Sequence, residues 1–255
     1  MKWSNIIFAK QMHHIALAIY HPKNAPLPTG KGAFLDSAGI VLYICPFRLY
    51  NKEKGGFKMN NYELARDRAQ SYFLRFDQQA LIEKWKLECD ETFIYIRFLG
   101  ERYTLCRQNG VISKNGQVAG FEETLSIFDL LCHQGQKPLT GIYAPVNSLK
   151  GRPAGAGVNT DFTSKTATFF DSRYGKFCKS CEDLGGTPVP MGDVAYRFTV
   201  FEKLTLILKF YRADEDFPAS VVLLWEDETL SYLLYETVFY IQGYLLSRIV
   251  KKMEE

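Results

Sequence analysis

Histidine is scarce in this chain, and where it occurs excludes a good deal of chemistry. Of four histidines in 255 residues, three (His13, His14 and His21) fall in the first 58. Only His133 is left to serve a Ser/His or Cys/His catalytic pair, with no evident group to orient it. The phosphate-cradling pattern G-x-x-x-x-G-K-[ST] is missing, as are G-x-G-x-x-G after a strand, G-x-S-x-G and H-E-x-x-H. No run approaches the roughly 18 apolar residues of a membrane span. The early apolar runs "IIFA" and "IALAIY" are interrupted by Lys10, Gln11 and two histidines, which spoils a signal peptide. Six cysteines at irregular spacing do not make a disulfide framework in a chain this long, so the expectation is reduced thiols in the cytoplasm.

What is present is apolar and aromatic. Hydrophobic residues make up 47% of the chain and Phe, Tyr and Trp 15%, enough for a sizeable core. The net charge of +3 hides an asymmetry: residues 1–58 carry eight basic and two acidic residues, residues 59–255 carry 23 and 26. The larger part is therefore mildly acidic, and its aromatics do not interleave with Lys or Arg, so neither nucleic acid nor membrane is expected as a partner.

Residues 1–58 read in two ways. One is a disordered arm: "HPKNAPLPTGKG" is turn chemistry without periodicity, and "AGIVLYICPF" is a short buried strand with no convincing partner nearby. The other is translated leader sequence, because Gly55-Gly56 can be encoded around a ribosome-binding core a short spacer before Met59. Either way a single α+β domain is expected over residues 59–255.

There the local signals agree. Asn60 or Asn61 caps a helix with Tyr62, Ala65, Ala69, Tyr72, Phe73 and Phe76 on one face. Asp77 caps a shorter one bearing Leu81, Ile82 and Trp85. "TFIYIRFL" and "RYTLCRQ" form a hairpin, and Asn109-Gly110 and Asn115-Gly116 mark turns. Glycine stops the helix "ETLSIFDLLCHQG", and a polar loop follows it. One helix then covers "TATFFDSRYGKFCKSCEDLGG". The strands "VAYRFTVF", "LTLILKFYRA" and "SVVLLWE" precede a long aromatic closing helix capped by Asp227. Hairpin-linked strands with helices at both ends predict a mainly antiparallel sheet of about five strands, packed by helices.

Three constellations carry candidate chemistry. Cys178-Lys-Ser-Cys181 places two thiols one helical turn apart, which suits half of a zinc, iron–sulphur or redox site. Cys132-His133 is the plausible other half, with ordinary buried cysteines as the alternative. The acidic triplets 214–216 and 226–228 lie at opposite ends of a strand, and each reads as a turn or helix start before it reads as a cation site. Glu236 is the third. It sits among Tyr232, Tyr235, Phe239 and Tyr240, so on a buried helix face its carboxylate must find a partner or become neutral. Its structural alternatives are an ion pair with an arginine such as Arg173 or Arg197, and plain exposure to solvent.

The stretches "YELARDRA", "GERYTL", "LSIFDLLCHQGQKPLTGIYAPVNSL" and "FYRADEDFPASVVLLWEDETLSYLLYETVFYI" resemble domain-of-unknown-function family 3786, with likeness from about residue 62 to 249. The resemblance implies one compact domain, occurrence mainly in anaerobic bacteria and archaea, and association with iron–sulphur or corrinoid proteins. It brings no catalytic residues with it. The leading expectation is a small-molecule-binding or accessory domain with Glu236, Tyr240 and Trp225 lining a pocket between the sheet and the closing helix. The alternatives are a metal or redox accessory using Cys178, Cys181, Cys132 and His133, and a scaffold for partner proteins.

Overall fold

The computed structural model describes residues 61–255 except 134, 136 and 155–160, together with three short strands near the start of the chain. The chain divides into two compact units, Met1–Lys58 and Met59–Glu255. In the first, β1 (Ala18–Ile19), β2 (Phe34–Leu35) and β3 (Val41–Ile44) form an antiparallel sheet in the order β1-β3-β2. The strand expected in residues 38–47 is thus β3, and it does have partners. Each is two residues long, too short to leave a periodic pattern. The rest of residues 1–58, on which the leader and arm readings bear, lies outside the described residues.

The second unit is α+β, with six helices and two antiparallel sheets of five strands each among the described residues. It begins with α1 (Asn61–Phe73) and α2 (Gln78–Trp85). Asp77 Oδ1 accepts the backbone N–H groups of Gln79 and Ala80 at 3.0 and 3.2 Å, satisfying two donors that a helix start leaves free. Leu81, Ile82 and Trp85 turn inward as their spacing requires. Tyr72 does not: it is exposed and pairs edge-on with Phe76, while Phe73 is fully buried.

The first sheet joins β4 (Glu88–Cys89), β5 (Phe93–Phe98), β6 (Glu101–Cys106), β7 (Ile112–Lys114) and β8 (Gln117–Val118), each pairing with the next. Ile94, Ile96 and Phe98 of β5 and Tyr103 and Leu105 of β6 share the buried face, as period-two alternation dictates. The second sheet has the order β10-β11-β12-β13-β9, made of β9 (Tyr143–Pro145), β10 (Thr187–Val189), β11 (Val194–Phe201), β12 (Leu204–Tyr211) and β13 (Ser220–Glu226). Sequence patterning predicts about five strands in one sheet. The strands fall into two sheets because residues 107–193, mostly helix and loop, separate the hairpins. Leu99, in the β5–β6 turn, donates its N–H to Val200 of β11 at 2.9 Å, and Trp85 meets Phe201 edge-on. These contacts bind the sheets into one core.

The remaining helices are α3 (Phe121–Cys132), α4 (Asp161–Asp171), α5 (Tyr174–Asp183) and α6 (Tyr235–Glu254). The single helix expected from "TATFFDSRYGKFCKSCEDLGG" is broken between α4 and α5. Ser172 Oγ turns back onto the Phe169 carbonyl at 2.9 Å, and Arg173 leaves helical geometry at φ −135°. The stacked rings of Phe170 and Phe177, 4.5 Å apart, hold the two pieces together. Gly186, just beyond α5, has no room for a Cβ, which would fall 2.7 Å from the Cys181 carbonyl oxygen. α6 packs against α3 and α5 and reaches the first sheet through Tyr244, whose ring stacks on Phe98. The closing helix therefore buries itself mainly among helices, not across a sheet face.

Candidate functional site

α3 and α6 run antiparallel, with a polar seam between them. Helical geometry puts Glu123, Ser126 and Asp129 of α3 on one stripe, each three residues from the next. Both ends of that stripe reach α6: Glu123 accepts from Tyr244, and Asp129 accepts the backbone N–H of Leu234, at 2.6 and 2.7 Å. Glu123, Ser126, Glu236 and Thr237 are all buried.

At the Glu123 end every group is spent. Glu123 Oε1 accepts the hydroxyls of Tyr103 and Tyr244, each at 2.6 Å, and Oε2 accepts the Gly120 amide at 2.6 Å. Lys114 Nζ stands 3.3 Å from Glu123 and 2.6 Å from Glu101, and Arg248 closes the set at 3.0 Å from Glu101. Two carboxylates and two cations balance. Burial pushes the Glu123 carboxyl up, but the two tyrosine hydroxyls, the Gly120 amide and the Lys114 charge outweigh it and hold the group below its ordinary value. Burial by itself would lower Lys114, and its bonds to Glu101 and Tyr244 reverse that. Burial comes first in raising Tyr103, followed by its bonds to Glu123 and Tyr244, so its hydroxyl remains a donor. This end locks β6, β7, α3 and α6 together.

The Glu236 end is different. Glu236 lies in the first turn of α6 and is buried, and among the described residues no other residue donates a hydrogen bond to its carboxylate. Among the described residues no cation stands beside it. The ion pair weighed from the sequence does not form: Arg173 lies over the Phe169 ring and Arg197 over the Tyr143 ring. Burial first, and then the negative charge of Asp129, raise the Glu236 carboxyl above its usual 4.5. One turn along, Tyr240 is buried, and burial followed by the charges of Glu236 and Glu122 pushes its hydroxyl up to about 12. That hydroxyl has no hydrogen bond among the described residues. Ser126 Oγ, fully buried on the facing helix, has none either. Asp129 itself is occupied by Leu234 and, at 3.5 Å, by His133 Nδ1.

A direct consequence concerns pH. A carboxyl whose folded pKa is raised favours folding below its unfolded pKa and loses that contribution as pH rises through the folded value. Glu236→Gln removes the titration. The variant's stability relative to wild type should therefore be greater at pH 8 than at pH 3.5, with the change beginning near pH 4.5. Urea unfolding across this range checks it, and a difference independent of pH contradicts it.

The other residues singled out from the sequence are dispersed. Trp225 is fully buried on β13, its Nε1 without a partner, and among the described residues no hydrogen bond or ring contact joins it to Glu236 or Tyr240. Cys178 and Cys181 share α5, and beside them the Tyr196 hydroxyl of β11 donates to Glu182 Oε1 at 3.2 Å. Burial, then Cys178 and Glu182, raise Cys181 well above the usual thiol value, which keeps it protonated. Cys132, pushed up to about 12 by burial and then by Asp129, ends α3 beside His133. Among the described residues no three His, Cys, Asp or Glu side chains gather closely enough to hold a metal ion. Asp227 does not cap the closing helix. It bonds Lys150 and Thr140, each at 2.6 Å, while Asp129 of α3 supplies the bond at the α6 start. His133, in extended conformation, ends α3 where glycine was expected. Sequence reasoning missed Ser126 and the Glu123 network. The signal available was the three-residue spacing of polar residues through an apolar helix.

No helix among the described residues is long and apolar enough to cross a membrane. No curated protein and no solved structure matches the chain. The family described as Domain of unknown function (DUF3786) matches residues 77–248, which takes in the whole of α3 and α6 up to Arg248, and the chain belongs to that family.

Proposed function

We propose that the domain binds a small molecule at the Glu236 end of the α3–α6 seam. What carries the reading is the contrast between the two ends. One has every buried polar atom bonded; the other, among the described residues, has a buried carboxylate without a cation and the fully buried Ser126 hydroxyl without a partner. Native interiors pair nearly all such groups, because leaving one unpaired costs about 1–3 kcal/mol. A buried carboxylate and a buried hydroxyl on facing helices, neither paired within the protein, are groups that a polar ligand would satisfy. The resemblance to family 3786 supports placing such a protein beside the iron–sulphur or corrinoid proteins of anaerobic metabolism, as an accessory and not as the bearer of a cluster.

Thermal unfolding of the full chain in the presence of a fragment-sized compound collection tests this. A ligand at about 100 times its dissociation constant adds roughly 2.7 kcal/mol to the folded state. Compounds that raise the midpoint of the wild type should lose that effect in Glu236→Gln and in a Ser126→Ala, Tyr240→Phe double variant. If all stabilising compounds act equally on both variants, the seam is not where they bind and the reading fails.

A further inference from the structure

One end of the second sheet presents apolar side chains to solvent. Phe217, in the turn between β12 and β13, is 70% exposed, more than any other large apolar side chain among the described residues. Tyr211, the last residue of β12, is 37% exposed, and Met191, in the turn between β10 and β11, is 38% exposed. Hydrogen bonds bring the Met191 turn to the end of β12. Asp193 donates its N–H to the Phe210 carbonyl at 3.2 Å, and its Oδ2 accepts the Arg212 N–H at 2.7 Å. Gly192 lies so close that a Cβ would fall 2.9 Å from the Phe210 carbonyl oxygen. The Phe217 turn is closed as firmly. Asp214 Oδ1 accepts the N–H groups of Asp216 and Phe217 at 2.9 and 2.7 Å, Asp214 donates its own N–H to the Phe217 carbonyl at 3.0 Å, and Pro218 follows. Folding alone gives no reason to fix an exposed ring in this way, since an apolar side chain left in water contributes no burial. A partner does give one: an aromatic anchor already held in its bound position loses little entropy on docking.

Charge decides the kind of partner. Asp214, Glu215 and Asp216 precede the ring and are exposed, and among the described residues no cation pairs with them. The two cations closest in the chain are engaged. Lys209 Nζ stands 4.7 Å over the Tyr211 ring, and Arg212 Nε bonds Asp171 at 3.1 Å while its guanidinium lies over the Tyr174 ring. A second copy meeting this surface across a two-fold axis would set these carboxylates against their own copies. Anionic lipid and nucleic-acid phosphate are repelled in the same way. Exposed apolar side chains bordered by uncompensated carboxylates are complemented by an apolar pocket bordered by Lys or Arg. We propose that this end of the second sheet is a docking surface for a basic protein partner, with Phe217 as the anchor, Tyr211 and Met191 adding apolar area at the same sheet end, and Glu215 and Asp216 pairing with the partner's cations. The surface takes no residue from the seam between α3 and α6, so the two readings stand or fall separately.

The experiment is selection of random short peptides displayed on phage against the full chain, with counter-selection on Phe217→Ser, followed by calorimetric titration of the enriched peptides. Those peptides should carry net positive charge and at least one large apolar residue. Phe217→Ser should weaken their binding at least about tenfold, as truncation of an anchor does. A Glu215→Lys, Asp216→Lys double variant should weaken it several-fold, and the wild-type affinity should fall with added salt. Val118→Ser, which removes a comparably exposed apolar side chain from β8 of the first sheet, should leave it unchanged. Amide hydrogen exchange of wild type with peptide bound should slow across residues 213–219, a reading that needs no variant. An enriched pool that is acidic or neutral, or no pool that prefers wild type to Phe217→Ser, overturns the proposal. So does self-association in sedimentation, or binding to vesicles containing anionic lipid, that is lost in Phe217→Ser, because the surface then belongs to another occupant.

Discussion

Glu123→Ala is expected to lower the free energy of unfolding by about 3–5 kcal/mol, the range for removing one member of a buried, bonded charge set. The contacts indicate where the loss arises. Lys114 keeps Glu101 at 2.6 Å, but Glu101 is then left to balance both Lys114 and Arg248. Tyr103 and Tyr244 keep each other at 3.0 Å but lose the acceptor they shared, and the Gly120 amide at the start of α3 loses its only side-chain partner. Two or three donors left wanting at about 1–3 kcal/mol each account for the total. Tyr244→Phe removes one donor and leaves Glu123 three other partners, so it should cost only about 0.5–1.5 kcal/mol. The double variant should show strong non-additivity, since both residues belong to one network. Acid adds a second check. The Glu123 carboxyl is depressed in the folded state, so its contribution is present above its unfolded pKa and is lost as pH falls through the folded value. The stability gap between wild type and Glu123→Gln should therefore narrow below about pH 4.5. This is opposite in sign to the Glu236→Gln comparison, though the two glutamates flank the same seam. Urea unfolding series at several pH values measure both, and a gap that widens in acid contradicts the network described.

Phe177→Ala should be comparably severe, at about 3–5 kcal/mol. Phe177 is fully buried, stacked on Phe170 at 4.5 Å, tilted against Phe210 at 5.0 Å and edge-on to Tyr196 at 6.3 Å. It is the contact through which α4, α5 and the second sheet share a core, and close-packed rings on three sides cannot collapse into the space it leaves. Phe177→Leu, nearer in volume, should cost clearly less, roughly 1–1.5 kcal/mol. Since small domains have about 5–15 kcal/mol in total, the alanine variant should be marginal at physiological temperature. Equal midpoints for the alanine and leucine variants would show that packing at this point is loose.

Several elements are legible from local pattern because their causes are local. Asp77 followed by Leu81, Ile82 and Trp85 caps and orients α2 with no help from elsewhere. Asn115-Gly116, both with positive φ, turns β7 into β8 as the residue types require. Glu236 and Tyr240 stand out because a carboxylate among large aromatics is conspicuous at any stage. Other features resist such reading. The start of α6 is bonded by Asp129, a residue 105 positions earlier, so no cap appears beside it in the sequence and Asp227 looks like the better choice. The α4–α5 break depends on Ser172 turning back onto the helix, which the apolar spacing on either side conceals.

The order of residues by itself determined the α+β character, the turn positions and the isolation of one acidic group in an aromatic helix, because each follows from neighbours a few positions away. Only the tertiary structure decided that the strands form two sheets and that α3 lies against α6. It alone set the fates of the two buried glutamates: Glu123 is met by partners from β6, β7 and α6, and Glu236 by no cation among the described residues. The physical reason is that a buried charge is settled by whatever folding brings within about 4 Å, and those groups come from anywhere in the chain.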